Sequence, residues 1–203
     1  MFNLENHYIA DTLKKLCGLL ENNEQIVIAV DGMSGALKST MAQALAKKYE
    51  AQVIHCDDFF LPAHLRSKER YEQPGGNIDY VRLMDEVIDN LSRNSPQIAD
   101  FSYGKFDCRQ MKVTQNINIS KARMYVVEGV YSLHPYFGKY YDYSIFLKVD
   151  GKEQLKRIEA RNGDVQMFKD MWIPMENLYF DKFAIQQKAD CVIDTTLFLR
   201  NGD

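Results

Sequence analysis

Ile28-Ala29-Val30-Asp31-Gly32-Met33-Ser34-Gly35-Ala36-Leu37-Lys38-Ser39-Thr40 is the stretch that decides the fold. Its first residues belong to the run Ile26–Val30, which is continuous, apolar and mostly β-branched, so a strand buried on both faces is expected. The run opens into a loop of small residues. It ends in Lys38-Ser39-Thr40, after which Met41, Ala42, Leu45, Ala46 and Tyr49 recur at helical spacing. Strand, small-residue loop and helix N-terminus form a setting for phosphate. Backbone N–H groups wrap the anion, the helix end adds partial positive charge, the lysine reaches the terminal phosphates, and the next hydroxyl ligates Mg²⁺. The candidate nucleotide-binding residues are therefore Gly32, Met33, Ser34, Gly35, Ala36, Leu37, Lys38, Ser39 and Thr40.

The pattern G-x-x-x-x-G-K-[ST] asks for glycine where Leu37 stands. Glycine there permits positive φ and close approach of phosphate to the backbone. If Leu37 must adopt positive φ, the strain is of order 1–3 kcal/mol. The amide N–H survives the replacement, so anion binding is weakened rather than abolished. A glycine-containing turn with a solvated lysine is the plain alternative.

Outward from this loop, short apolar runs alternate with helical periods, the pattern of an α/β domain with a mostly parallel sheet. Ile9, Leu13, Leu16 and Leu20 predict a helix before the first strand. Val53-Ile54, Met124–Val127, Ile145–Val149 and Cys191-Val192-Ile193 predict further strands. Leu83, Val87 and Leu91 mark a helix entered near Asp79, and residues 151–162 one stopped by Gly163. Pro174 fits a first helical position, continued by Met175, Tyr179 and Phe183. Residues 97–119 are polar, aromatic and partly alternating, and read as strand or hairpin.

Composition narrows the class. The 203 residues suit one domain, 46% apolar and 26% charged, which excludes a disordered chain. Lys and Arg number 25 against 28 Asp and Glu, so no cation excess is available to displace phosphate counterions, and nucleic acid is not an expected partner. No apolar run approaches the roughly 18 residues that span a bilayer, and no membrane association is expected. The N-terminus, MFNLENHYIADTLKK, lacks a basic then apolar leader. Cys17, Cys56, Cys108 and Cys191 are far apart and form no C-x-x-C, so reduced thiols in a cytoplasmic protein are expected.

Two further clusters carry chemistry. His55-Cys56-Asp57-Asp58-Phe59-Phe60 follows the second strand, and ligands in open α/β sheets bind beyond the carboxyl ends of strands. Phosphoryl transfer to an alcohol needs a carboxylate that accepts the hydroxyl proton and oxygen ligands that complete a Mg²⁺ shell. At most one of Asp57 and Asp58 is expected to face the reaction centre, and a helix cap or turn acid is the alternative. Glu128, ending Met124–Val127 and followed by Gly129, is placed to be a metal ligand, directly or through water. Arg157 and Arg161, four apart on one helix face, suit a lid that stabilises transition-state charge. Pairing with Glu153 or Glu159 on a solvated face is the alternative.

The phosphate loop, Cys56-Asp57-Asp58-Phe59-Phe60, Pro74-Gly75-Gly76-Asn77-Ile78-Asp79-Tyr80, Val127-Glu128-Gly129-Val130-Tyr131 and the Arg157/Arg161 helix stand in a fixed order. In that order the chain resembles the uridine kinase-like branch of the P-loop kinases, a group that includes phosphoribulokinase and bacterial pantothenate kinase. The resemblance covers roughly residues 24–195. It implies a single domain over residues 1–203 with a mostly parallel five-stranded sheet, helices on both faces, and a small lid at about residues 151–170. Acceptor-site segments are implied at about 57–82 and 97–119.

It further implies ATP or GTP as donor and Mg²⁺. Asp57 matches the general base and a magnesium-side acid, Glu128 the other magnesium-side acid, Lys38 and Ser39 the phosphate lysine and metal hydroxyl, and Arg157 and Arg161 the lid arginines. Asp58, Glu72, Asp79, Arg82 and Tyr103 are implied near the acceptor, with Phe106 as a second ring beside Tyr103. The expected activity is phosphoryl transfer to a hydroxyl of a small metabolite. A uridine- or nucleoside-like acceptor stands foremost, and a vitamin or sugar-like alcohol is left open, as is a homo-oligomer. The rival reading is a degenerate kinase or regulator that binds nucleotide with weak or no turnover, because of Leu37. A GTPase switch ranks last, since neither N-K-x-D nor D-x-x-G is present.

Overall fold

In chain order the elements are α1 (His7–Asn22), β1 (Ile26–Gly32), α2 (Lys38–Tyr49), β2 (Gln52–His55), α3 (Lys68–Tyr71), α4 (Tyr80–Leu83), α5 (Asp89–Leu91), β3 (Phe101–Asp107), β4 (Lys112–Ile119), β5 (Met124–Glu128), β6 (Tyr143–Lys148), α6 (Gly151–Asn162), α7 (Ile173–Phe183), α8 (Ile185–Lys188) and β7 (Cys191–Asp194). The computed structural model describes residues 7–92 and 97–198. Residues 1–6, read above for a leader, lie outside the described residues.

β1 is buried along its whole length, as its unbroken apolar run requires. It pairs in parallel with β5 on one side and β6 on the other, and the sheet order is β2-β5-β1-β6-β7 with every pairing parallel. Alternate residues serve opposite cores. Ile26, Ile28 and Val30 join Met124, Val126, Ile145 and Leu147 beneath α1 and α2. Val27 and Ala29 join Tyr125, Val127 and Phe146 beneath the Leu83–Leu91 helix and α7. Each fully buried leucine or isoleucine in these layers contributes about 1.5–3 kcal/mol.

The helix predicted near Asp79 is present. The Asp79 carboxylate accepts from the Arg82 amide, and α4 and α5 run together through a π turn at Met84–Ile88. α6 coincides with its predicted span: Asp150 caps it by accepting from the Lys152 and Glu153 amides, and Gly163 ends it at φ 77°. Residues 101–119 form the expected hairpin, β3 with β4, as a separate two-stranded sheet bulged between Lys105 and Phe106.

α7 opens with Pro174 in its first turn, as predicted, but the helical path reaches further back. Helix already exists at Gln166, and Pro174 falls inside a continuous helical path. Proline cannot donate a backbone bond, and its ring crowds the carbonyl four residues back. The chain accommodates this with a π turn at Phe168–Trp172, closed by the Ile173 N–H donating to the Phe168 carbonyl. Among the described residues, no helix is long and apolar enough to cross a membrane.

Candidate functional site

At the carboxyl end of β1 the chain cannot carry a side chain. A Cβ on Gly32, whose φ is 136°, would lie 2.0 Å from the Leu147 carbonyl oxygen of β6. The loop turns back through an Ala36 N–H donating to the Met33 carbonyl, and Gly35 takes φ 76°. Leu37 has φ 69° and ψ 26°, the left-handed conformation that the missing glycine would have adopted freely. Its side chain packs onto the core beneath α2, and the bend stays open. Leu37 offers no side-chain cap to α2, so the first-turn N–H groups remain available to an anion.

Asp31 fixes this loop from below. The fully buried carboxylate accepts from the amides of Gly32 (2.6 Å), Leu133 (3.0 Å) and Tyr131 (3.3 Å), and from the Tyr179 hydroxyl (2.8 Å). Burial is the main reason its pKa rises to about 6, opposed by the hydrogen bonds from Leu133, Gly32 and Tyr179 and by Lys38.

A cavity of about 610 Å³ opens above the loop. Its lining includes residues 34–40, and Asp57, Glu128, Arg157 and Arg161. The β2–β5 register sets His55 beside Glu128, and Gly129 (φ 140°) lets β5 close on Cys56, where a Cβ would meet the Cys56 Cβ at 2.6 Å. This close approach brings Asp57, on the 3₁₀ turn Cys56–Phe59, to the same cavity as Glu128. Glu128 is buried and hydrogen-bonded to His55 Nδ1, and that bond raises the His55 pKa. Asp57 reaches water through the cavity, yet its carboxyl is held above the usual range, first by desolvation and then by Glu128. Lys38, His55 and Arg161 pull it the other way.

The cations differ in freedom. Lys38 Nζ donates to the carbonyls of Gly32 (2.8 Å) and Met33 (3.0 Å). The buried Arg157 guanidinium pairs with Glu153 and donates to the carbonyls of Gly35 (3.2 Å), Thr195 (2.7 Å) and Thr196 (3.2 Å). It braces the loop against the end of β7 instead of reaching freely over the cavity as a lid arginine, because its donors are already committed. Arg161 lies against the Phe168 ring at 5.8 Å and bonds locally to Asn162.

The five acceptor candidates are not brought to this cavity. A 3₁₀ turn sends successive side chains about a third of a revolution apart. Asp58 therefore turns away from Asp57 to accept from Tyr103 (3.0 Å) and to pair with Lys105 (3.4 Å). Tyr103 and Phe106 are buried in packing. Arg82 donates to the Asp58 and Gly104 carbonyls (both 2.6 Å) and lies over the Phe59 ring, tying the hairpin to the turn. Asp79 caps α4, and Glu72 is exposed beside Lys68.

Phe60, Asn77, Tyr131, Trp172 and Glu176, none of them singled out in the sequence as site residues, line the cavity. Glu176 accepts from the Ser34 amide (3.0 Å) and, through a short bond, from the Ser34 hydroxyl. Burial raises its pKa, with the Asp57 charge adding to the rise and Lys38 opposing it. Trp172, the chain's single tryptophan, is the one whose rarity could have marked it in the sequence.

Two solved structures share this architecture over nearly the whole chain. A possible uridine kinase from Bacillus stearothermophilus aligns with a TM-score of 0.66 at 18% identity, covering 92% of this chain and 99% of its own. A candidate fructose transport system kinase from Silicibacter sp. TM1040 aligns with a TM-score of 0.61 at 19% identity, covering 89% and 98%. No family model matches the sequence. The fold is the α/β P-loop kinase fold, with five parallel strands and helices on both faces, and the resemblance read from the motifs holds at the level of architecture.

Proposed function

We propose that the chain is an NTP-dependent kinase that transfers a phosphoryl group to a hydroxyl of a small metabolite. The observation that carries this reading is that Lys38, Ser39, Asp57 and Glu128 line one cavity at the carboxyl ends of the strands. Strand order reverses there, β5 and β2 lying to one side of β1 and β6 and β7 to the other, which is where open α/β sheets bind ligands.

The residues divide the work by their chemistry. Loop amides and the α2 N-terminus hold the donor phosphates, and Lys38 exchanges its loop carbonyls for phosphate oxygens. Asp57, with a raised pKa, accepts the proton of the attacking hydroxyl. Arg161 stabilises charge on the phosphoryl group in flight. Arg157 holds Gly35, and with it the loop, in place.

The Ser39 hydroxyl with the Asp57 and Glu128 carboxylates is a hard-oxygen donor set that fits Mg²⁺. Among the described residues no group of three or more His, Cys, Asp or Glu forms a cage, which suits a cation held largely by substrate phosphate and water. When bound, the ion neutralises charge on the transferred phosphate. The described cysteines are free thiols, which fits a reducing compartment, and we place the protein in the cytoplasm.

The test is Mg²⁺-dependent release of ADP or GDP from ATP or GTP, across a panel of nucleosides, vitamins and sugars, with Asp57→Asn as control. Acceptor-stimulated release that needs Asp57 supports the reading, and activity untouched by the substitution removes Asp57 as base. A second reading, a regulator that binds nucleotide without turnover, is favoured by two observations: the left-handed Leu37 and the Glu176 carboxylate seated on Ser34. It predicts nucleotide binding with no acceptor-stimulated release, and tighter binding in Leu37→Gly.

A further inference from the structure

β3 and β4 form a sheet of their own, and its two edges are finished differently. On the β3 side, the Gly104 N–H donates to the Glu86 carboxylate (2.8 Å) and the Gly104 carbonyl accepts from Arg82 (2.6 Å). That edge is closed by a charged pair. On the β4 side, among the described residues, no third strand joins the sheet. Nor does any backbone–backbone bond outside the ladder reach Lys112–Ile119 among those residues.

The register shows which groups stand at the open edge. In an antiparallel ladder, residues directly opposite each other either exchange bonds or both point away. Gly104 spends its N–H and C=O on Glu86 and Arg82, and it lies opposite Asn116. The Asn116 N–H and C=O therefore face outward. Two residues on, those of Asn118, opposite Ser102, do the same. Ile117 between them packs against the core, while the Asn116 and Asn118 side chains are exposed on the other face.

Soluble proteins blunt open edges with charge, proline or a bulge. Val113–Ile119 carries no charged residue, no proline and no glycine. The bulge falls at the Thr114 end and leaves Gln115–Ile119 in regular register. This is a stretch of exposed, uncharged strand with its donors and acceptors in place.

We propose that β4 is a self-association edge, through which two copies of this chain pair antiparallel about a two-fold axis at Ile117. In that register Asn116 lies opposite Asn118 of the partner subunit, and each such couple exchanges two backbone bonds. Their side-chain amides adjoin on the exposed face, where Asn can bond to Asn. The charge pattern suits a second copy: Lys112 falls opposite an alanine and Lys121 opposite a valine, so no like charges meet. The association closes on itself. The outer edges of the joined four-stranded sheet are the two β3 edges, already sealed by Arg82 and Glu86. The proposal is independent of the kinase reading.

Sedimentation velocity of the full chain from about 1 to 200 µM reads the association, which a short strand pair should place in the micromolar range. Deuterium exchange gives a second readout: the Asn116 and Asn118 amides should become protected as concentration rises. Asn116→Pro removes an N–H that the β3 ladder does not use, so the hairpin should survive. With a bond lost from each Asn116 across the axis, its dissociation constant should rise by about tenfold or more. Two double variants test the register without proline. Asn116→Asp with Asn118→Asp, and Asn116→Lys with Asn118→Lys, set like charges against each other across the axis. Each should sediment as a monomer, and the two mixed should form a one-to-one dimer.

A parent chain that stays monomeric across the whole concentration range overturns the proposal. So does self-association that Asn116→Pro and both charged variants leave unchanged, since the contact would then lie on another surface.

Discussion

Leu37→Gly and Leu37→Ala separate the two things that Leu37 does. Its φ of 69° puts an L-residue in the left-handed region, at a cost of about 1–2 kcal/mol. Its side chain is half-buried on the core beneath α2, and half a leucine's burial contributes about 1 kcal/mol. Glycine relieves the strain, forfeits the packing, and adds about 0.5–1 kcal/mol of unfolded-chain entropy. These terms offset, so Leu37→Gly should melt within ~3 °C of the parent. Alanine forfeits the packing and keeps the strain, and should lie about 1 kcal/mol lower, a shift of ~2–4 °C in a chain of this size. Thermal melts of the three proteins give the stability order. Calorimetric titration with ADP gives the second half of the expectation: without a Cβ the loop admits phosphate more closely, so glycine binds several-fold tighter and alanine does not. Alanine melting at or above glycine would refute the left-handed assignment and the reasoning built on it.

Three other outcomes are expected. Asp57→Asn should lower acceptor-stimulated ADP release by about 10²–10⁴-fold while leaving ADP affinity within a few-fold, as read by steady-state assay and titration. Gly32→Ala must push a Cβ to 2.0 Å from the Leu147 carbonyl at φ 136°, and should cost about 3 kcal/mol or more in urea unfolding; a near-neutral result would show that β6 is not packed against the loop as described. Asp31 titrates at about 6 in the folded protein against 3.8 for the free carboxyl, chiefly through burial. The folded state therefore holds a proton that the unfolded chain has released. That contribution is complete below 3.8 and lost as pH rises through about 6. Asp31→Asn should flatten the pH dependence of the melting temperature across that window, and an unchanged slope would count against it.

The fold was legible because its signals are local. The Ile26–Val30 run, the Asp150 and Gly163 ends of α6, and the alternation in the 97–119 segment each follow from backbone preferences over a few residues, and each stands in the structure. Pro174 was legible in the first turn of α7, but the helical path before it was not, because a π turn has no sequence signature of its own: the one at Met84–Ile88 forms without a proline. Asp57 and Glu128 were legible as strand-end acids. The far wall of the cavity was not: Asn77, Tyr131 and Glu176 come from three distant segments, which the closure of Gly129 on Cys56 and the hydrogen bonds of Asp31 help bring together. Arg157 followed its spacing onto the shared face, but spacing carries no information about the Thr195 and Thr196 carbonyls that occupy it.

One carboxylate, that of Asp31, is keyed to β1, to the segment after β5 and to α7 at once. Any two of these pieces assembled without the third would entomb an acid with its ligands incomplete, so half-built versions of the centre are energetically disfavoured. This end of the sheet is thereby welded into a single cooperative unit, and the Tyr131 and Leu133 amides should become exposed to deuterium exchange together, in step with the unlatching of α7.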